Sequence, residues 1–212
     1  MTNPVLSQIL ATRIVAIIRG AEPGSVLSIV KALFDGGVRN VEITLNSHDA
    51  LATIREISNE MSDRMLIGAG TVLDAGDARS AIEAGAKFII SPTVDEETIR
   101  LTKESGIVSI PGALTPTEIL KAFRLGADLV KVFPASMGPG YIKDIRGPLP
   151  HIPLMPTGGV GLDNIAEYQK AGGVAFGIGT ALVNSRRPLT DEYLLNIRDT
   201  ARKFMLAVNP DL

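Results

Sequence analysis

No cysteine occurs in the 212 residues, and there are only two histidines, His48 and His151. The first absence excludes disulfides, zinc–thiolate sites, iron–sulfur clusters and a cysteine nucleophile. The second leaves too few imidazoles for a three-histidine metal site. Tryptophan is absent and aromatic residues make up 4% of the chain, which is little material for a surface that stacks on nucleic acid or polysaccharide. No lysine-arginine block offers a footprint for a phosphate backbone, and the net charge is −2; nucleic acid is not an expected partner. No stretch approaches the roughly 20 apolar residues of a membrane span. The first residues, MTNPVLSQILATR, lack the basic start and long apolar run of a signal peptide. The expected setting is the cytoplasm, with no membrane partner.

What is present is an ordinary globular composition, 45% hydrophobic and 21% charged, in a chain long enough for one substantial core. No linker, low-complexity tract or composition break appears, so residues 1–212 are expected to form a single domain. Eight short β-branched or apolar runs recur about every 20–26 residues: IVAIIR, VEITL, MLIGAG, FIIS, IVSIPG, LVKVF, PLMPTGG and VAFGIG. The intervening segments, such as SVLSIVKALFDGG, DEETIRLTKESG and PTEILKAFRLG, carry apolar residues at helical period. Gly36, Gly85, Gly106, Gly126 and Gly172 stand just past helical patterns, where a left-handed cap needs no Cβ. This alternation predicts an α/β fold, a single (β/α)8 TIM barrel, with the segment around SQIL as an extra N-terminal helix closing the bottom. A doubly wound open sheet is the alternative, weakened by the lack of GxGxxG after the first strand.

In a barrel, alternate strand residues point inward and the strand ends that lead into the βα loops build the active-site face. Glu42 and Thr44 then point inward from VEITL, and Lys131 points inward from LVKVF between Leu129 and Phe133. A buried carboxylate is costly unless paired or put to use. Burial disfavours the charged form of an amine, and a neutral amine attacks carbonyl carbon. The plainer alternative is a structural Glu42–Lys131 ion pair. Arg19 ends the first strand at the barrel mouth, where a guanidinium can grip a carboxylate or simply sit in solvent. Thr71, in GAGTVLD, offers a hydroxyl and an N–H to an anion, or else caps the next helix, a role Asp74 could fill as well. Thr157-Gly158-Gly159-Val160 and Gly177-Ile178-Gly179-Thr180 end the last two strands. In many barrels these loops form a phosphate site through backbone N–H groups, although glycine-rich loops are also plain tight turns. With no basic residue beside them in the sequence, the backbone is expected to supply most of the binding.

These residues, with AIIRG at 16 to 20, GGVRNVEITLNS at 36 to 47, GAGTVLD at 68 to 74, FIISPTVDEE at 88 to 97, IPGALTPTE at 110 to 118, VKVFPA at 130 to 135, PTGGV at 156 to 160 and GIGTALV at 177 to 183, resemble the bacterial 2-keto-3-deoxy-6-phosphogluconate and 4-hydroxy-2-oxoglutarate aldolase family, including its 6-phosphogalactonate branch. The resemblance spans nearly the whole chain. It implies a class I aldolase on a (β/α)8 barrel, commonly a homotrimer, that needs no metal or other cofactor. The implied reaction cleaves a 2-keto-3-deoxy-6-phospho sugar acid to pyruvate and glyceraldehyde 3-phosphate, with 4-hydroxy-2-oxoglutarate, giving pyruvate and glyoxylate, as a further family substrate. By resemblance Lys131 is the Schiff-base lysine and Glu42 the proton-transfer carboxylate. Arg19 and Thr71 match the positions that hold the substrate carboxylate, Pro92 the wall around the pyruvyl group, and Phe133 the residue packed beside the imine. Gly158, Gly159, Gly179 and Thr180 match the phosphate end, and Thr157 beside them is a further expected substrate-binding residue. Asn46 stands where some members carry arginine, so a substrate contact there is altered, and Asn46-Ser47 is locally similar to the phosphogalactonate branch.

Two other functions fit the same pattern: a phosphate-sugar isomerase or epimerase that uses Glu42 as base, and a sugar-acid-binding protein without catalysis. His48 begins the loop after the second strand, where a contact with substrate is the less expected of its roles. His151 precedes the seventh strand, on the opposite face, where a structural or solvent-facing role is expected.

Overall fold

The computed structural model describes residues 3–209. Helix α1 (Pro4–Thr12) leads into β1 (Ile14–Ile18), and strands and helices then alternate: α2 (Pro23–Asp35), β2 (Asn40–Thr44), α3 (Ala50–Met61), β3 (Leu66–Gly70), α4 (Ala75–Glu83), β4 (Phe88–Ile90) and α5 (Glu96–Glu104). The fifth apolar run is split into β5 (Val108–Ile110) and β6 (Gly112–Ala113) around Pro111, whose ring removes the backbone donor a strand needs. The remainder is α6 (Pro116–Arg124), β7 (Val130–Val132), α7 (Pro139–Arg146), β8 (Leu154–Pro156), α8 (Ile165–Lys170), β9 (Phe176–Ile178) and α9 (Asp191–Val208).

This is an α/β fold on parallel strands. One sheet runs in the order β5-β4-β3-β2-β1-β9 and a second in the order β6-β7-β8. Isolated parallel bridges pair Leu154 with Gly173 and Thr157 with Gly177, joining the β8 segment to the β9 segment. Every strand is short, and nearly every strand residue is buried, as expected where helices cover a parallel sheet.

The period-2 pattern sorts side chains into two apolar layers. Val41, Ile43, Val130 and Val132 pack with the helices in the larger layer. Val15, Phe88, Ile90, Val108, Ile110, Leu129 and Met155 form a second cluster on the other face of the strands, and Ile9 of α1 belongs to it. Residues 42 and 131 therefore fall on the face away from the helices, as their positions between helix-facing neighbours predict.

Helix starts follow local chemistry. Asp74, Asp95 and Thr115 each accept a hydrogen bond from a first-turn amide, and Thr115 and Glu118 form a reciprocal capping box. Gly85, Gly106, Gly126 and Gly172 have positive φ as predicted, but Gly36 does not: φ there is −81° and its neighbour Gly37 takes the left-handed turn at 96°. Gly36 is small for another reason. A Cβ on it would lie 2.5 Å from both Ala201 Cβ and the Arg198 carbonyl oxygen of α9, so α2 and α9 meet backbone to backbone there. Among the described residues no helix is long and apolar enough to cross a membrane.

Candidate active site

A cleft of about 840 Å³ opens at the ends of the strands, within the size range of small-molecule sites. Arg19, Lys131 and Phe133 line one part of it; Thr157, Gly158, Gly159, Gly179 and Thr180 line another. Residues distant in sequence thus meet because β1, β7, β8 and β9 all end at the same face.

Lys131 sits in the middle of β7, paired with Gly112 on one side and Met155 on the other, and is 3% exposed. Its Nζ lies 5.1 Å from the centroid of the Phe133 ring, within cation–π range when the group is charged. Glu42 is fully buried in β2, flanked by Ile17 and Gly68. Both carboxylate oxygens are shielded from solvent and have no hydrogen-bond partner among the described residues. The two side chains therefore do not form the structural ion pair that sequence left open. Burial pushes the Glu42 carboxyl above its usual range, partly offset by the positive fields of Lys131 and then Arg19. A buried acid without a partner is destabilising in a purely structural role, which makes it a candidate for chemistry.

Gly70 makes room for this acid. A Cβ on Gly70 would collide with the carboxylate of Glu42, so the glycine at the end of β3 fixes where the carboxyl lies. Thr71, next in the chain, has φ 56°, unusual for a β-branched residue and a strain of about 1–3 kcal/mol. Its Oγ1 accepts a long contact of 3.5 Å from Arg19 Nη2. Asp74, not Thr71, caps α4, with Oδ1 accepting from the Asp77 amide at 2.8 Å. Arg19 and Thr71 are thus brought together at the mouth.

The glycine loops have the geometry of an anion cradle. Gly158 and Gly159 both have φ 84°, and no described residue accepts from the amides of Gly158, Gly159, Gly179 or Thr180. Successive free N–H groups of this kind suit phosphate oxygens. Phe133 and the segment to Ser136 press on the loop, lying 3.3 Å and 3.5 Å from where Cβ atoms of Gly158 and Gly159 would be. The Tyr168 hydroxyl donates to the Ala135 carbonyl and ties that segment to α8.

Four of the predicted site residues, Glu42, Thr71, Pro92 and Asn46, lie off the cleft wall. Pro92 is half-buried after β4, its carbonyl against Gly112. Asn46 is exposed in the turn after β2. Its neighbour Ser47 is engaged instead, accepting from the Gly20 amide at 2.8 Å and pairing with Thr44 Oγ1 at 3.0 Å. His48 is exposed beside Asp49, and His151 packs edge-on against Phe123. Sequence reasoning missed Asn184, Ser185 and Arg186, which also line the cleft. The only signal was a polar run, NSRR, shortly after GIGT. Among the described residues no cluster of three His, Cys, Asp or Glu side chains could hold a metal ion.

The family model described as KDPG and KHG aldolase matches residues 5–194. The chain belongs to this family. Among its relatives is a protein of Rhizobium meliloti (strain 1021) named a probable 2-dehydro-3-deoxy-6-phosphogalactonate aldolase. It is 39% identical over 171 residues, covering 80% of this chain and 81% of that one. A 2-dehydro-3-deoxy-phosphogluconate aldolase of Pseudomonas aeruginosa is 39% identical over 158 residues, 74% of this chain and 71% of the relative. A structure of KDPG aldolase from Legionella pneumophila, with pyruvate captured as a covalent carbinolamine intermediate, superposes with a TM-score of 0.81 at 28% identity. It covers 98% of this chain and 97% of that one.

Proposed function

We propose that this KDPG/KHG-family member is a class I aldolase that cleaves a 2-keto-3-deoxy-6-phospho sugar acid to pyruvate and glyceraldehyde 3-phosphate. The observation that carries the reading is a buried lysine on the cleft wall whose charge acts on a buried carboxyl that has no hydrogen-bond partner among the described residues. In this account the strands close into one (β/α)8 barrel with α1 as an extra helix beneath it, and the chain forms a single domain. Support comes from the bridges between the β8 and β9 segments, the continuity of β5 into β6 through Pro111, and the packing of Ile9 under the strands. By resemblance to the family the enzyme is a cytoplasmic homotrimer.

Lys131 Nζ attacks the C2 keto carbon to give a carbinolamine, and loss of water gives a protonated imine. Glu42, held toward its neutral form by burial, donates the proton that lets hydroxide leave as water. The imine keeps a positive charge beside the resulting carboxylate and so stabilises it. That carboxylate then takes the proton of the C4 hydroxyl, directly or through one water. The C3–C4 electron pair moves into the imine to form an enamine, and the aldehyde departs. Protonation of the enamine at C3 by Glu42 and hydrolysis of the imine release pyruvate and regenerate Lys131. Arg19 and Thr71 hold the substrate carboxylate, Phe133 and Pro92 shape the surroundings of the pyruvyl group, and the amides of Gly158, Gly159, Gly179 and Thr180, beside Thr157, receive the phosphate. Asn46, exposed after β2, has no first-contact role in this scheme.

The test is a coupled pyruvate-release assay on three substrates: the 2-keto-3-deoxy-6-phospho derivatives of gluconate and galactonate, and 4-hydroxy-2-oxoglutarate. Release of pyruvate from at least one phosphorylated substrate is expected. No release from any of the three contradicts the reading.

A further inference from the structure

The polar turn after β9 is a built element of the cleft. Leu182 and Val183 both donate their amides to the Gly179 carbonyl, at 2.8 and 2.9 Å, which turns the chain back so that residues 184–186 lie along the same cleft as Gly179 and Thr180. Tyr193 of α9 then fixes the turn from both sides of one residue. Its hydroxyl accepts from the Asn184 amide at 2.7 Å and donates to the Asn184 carbonyl at 3.1 Å. Asn184 closes the turn itself: Oδ1 accepts from the Arg186 amide at 3.1 Å, and its carbonyl accepts from the Arg187 amide at 3.0 Å.

The two consecutive arginines are divided by this geometry. Arg187 lies over the Tyr193 ring, 5.1 Å from its centroid. Arg186 lines the cleft, and its guanidinium has no hydrogen-bond or carboxylate partner among the described residues. Ser185 lines the cleft as well, and its hydroxyl is shielded and unpartnered among the described residues. Among the described residues the cleft wall carries three cationic side chains, Arg19, Lys131 and Arg186, and no carboxylate. Arg19 and Lys131 belong to the keto-acid end. Arg186 is the cation left over, on the same loop as the free amides of Gly179 and Thr180.

We propose that the Asn184–Ser185–Arg186 turn reads the far end of the substrate. Arg186 makes a charge-assisted contact to a phosphomonoester dianion seated on the glycine loops, and the Ser185 hydroxyl rotates to donate to it. This rests on the aldolase reading above and deepens it. A guanidinium fork suits phosphate oxygens, and a short keto diacid carries no phosphate dianion to place on the glycine loops. The turn therefore makes the enzyme selective for phosphorylated substrates.

The experiment compares wild type, Arg186→Gln and Arg187→Gln. Arg186→Gln is expected to raise KM for the phosphorylated substrate roughly 10- to 100-fold, the range of a lost hydrogen bond to a charged group. It should leave unchanged the rate at which borohydride traps pyruvate on Lys131, because pyruvate has no phosphate. Arg187→Gln should keep KM within about twofold of wild type, as for surface changes away from a contact. An unchanged KM in Arg186→Gln, equal KM rises in both variants, or a matching loss of pyruvate trapping in Arg186→Gln each overturns the proposal. Failure of wild type to trap pyruvate strikes the aldolase reading itself and is a separate result.

Discussion

Glu42 is where burial, charge and space constrain a single side chain most tightly. Its carboxyl is buried with no hydrogen-bond partner among the described residues, and its pKa is raised by that burial. A group whose folded pKa lies above its unfolded value contributes stability fully below the unfolded pKa and loses that contribution as pH rises through the folded one. Glu42→Gln removes this cost. The variant should gain melting temperature relative to wild type, and the gain should widen as pH rises above the ordinary carboxylate range; a gain independent of pH would contradict the assignment. Cleavage should fall by about 10²–10⁴-fold in the same variant, the usual contribution of a positioned acid-base group. Gly70→Ala tests placement rather than identity, because its Cβ would occupy the space of the carboxylate. It should lower kcat while Lys131 still forms an adduct with pyruvate, and an unchanged kcat would show that the carboxyl need not lie there. Lys131 and Glu42 were legible in sequence because period-2 alternation leaves no other direction for them. Gly70 was not, because its meaning depends on a neighbour in another strand. Asn46 stood out in sequence, yet the turn it occupies leaves it in solvent, with Ser47 making the contacts.

Among the elements, strands were the easiest to read. Seven of the apolar runs became single strands, and the fifth was broken where Pro111 interrupts the ladder. Four helix-ending glycines followed the left-handed rule, while Gly36 answers to the approach of α9, a long-range contact that no local pattern announces. Gly36→Ala should therefore lower unfolding stability in urea by about 1–3 kcal/mol, the range for overpacking. Thr115→Ala, at the capping box of α6, should cost about 1 kcal/mol. A smaller loss at Gly36 than at Thr115 would argue against the backbone contact. The turn after β9 was the least legible element. Loops carry function without periodicity, and only folding back at Gly179 puts Arg186 beside the glycine loops.

For the whole molecule, the small net charge of −2 gives no long-range pull on an anionic substrate. In the proposed site, attraction comes from the local set of Arg19, Lys131 and Arg186 on the cleft wall and from backbone amides with no acceptor among the described residues. The absence of cysteine and the scarcity of histidine leave the proposed chemistry to one buried lysine. Sedimentation equilibrium should give a particle of three times the 22.4 kDa chain mass, and a monomer at micromolar concentration would contradict the trimer. The most direct test of the account is borohydride reduction in the presence of pyruvate, followed by peptide mass mapping. The account predicts one stable pyruvyl-derived adduct, located on Lys131 and absent from Lys131→Met, a variant that remains folded but no longer cleaves. An adduct on another lysine, or none at all while the protein is folded, would contradict the imine mechanism.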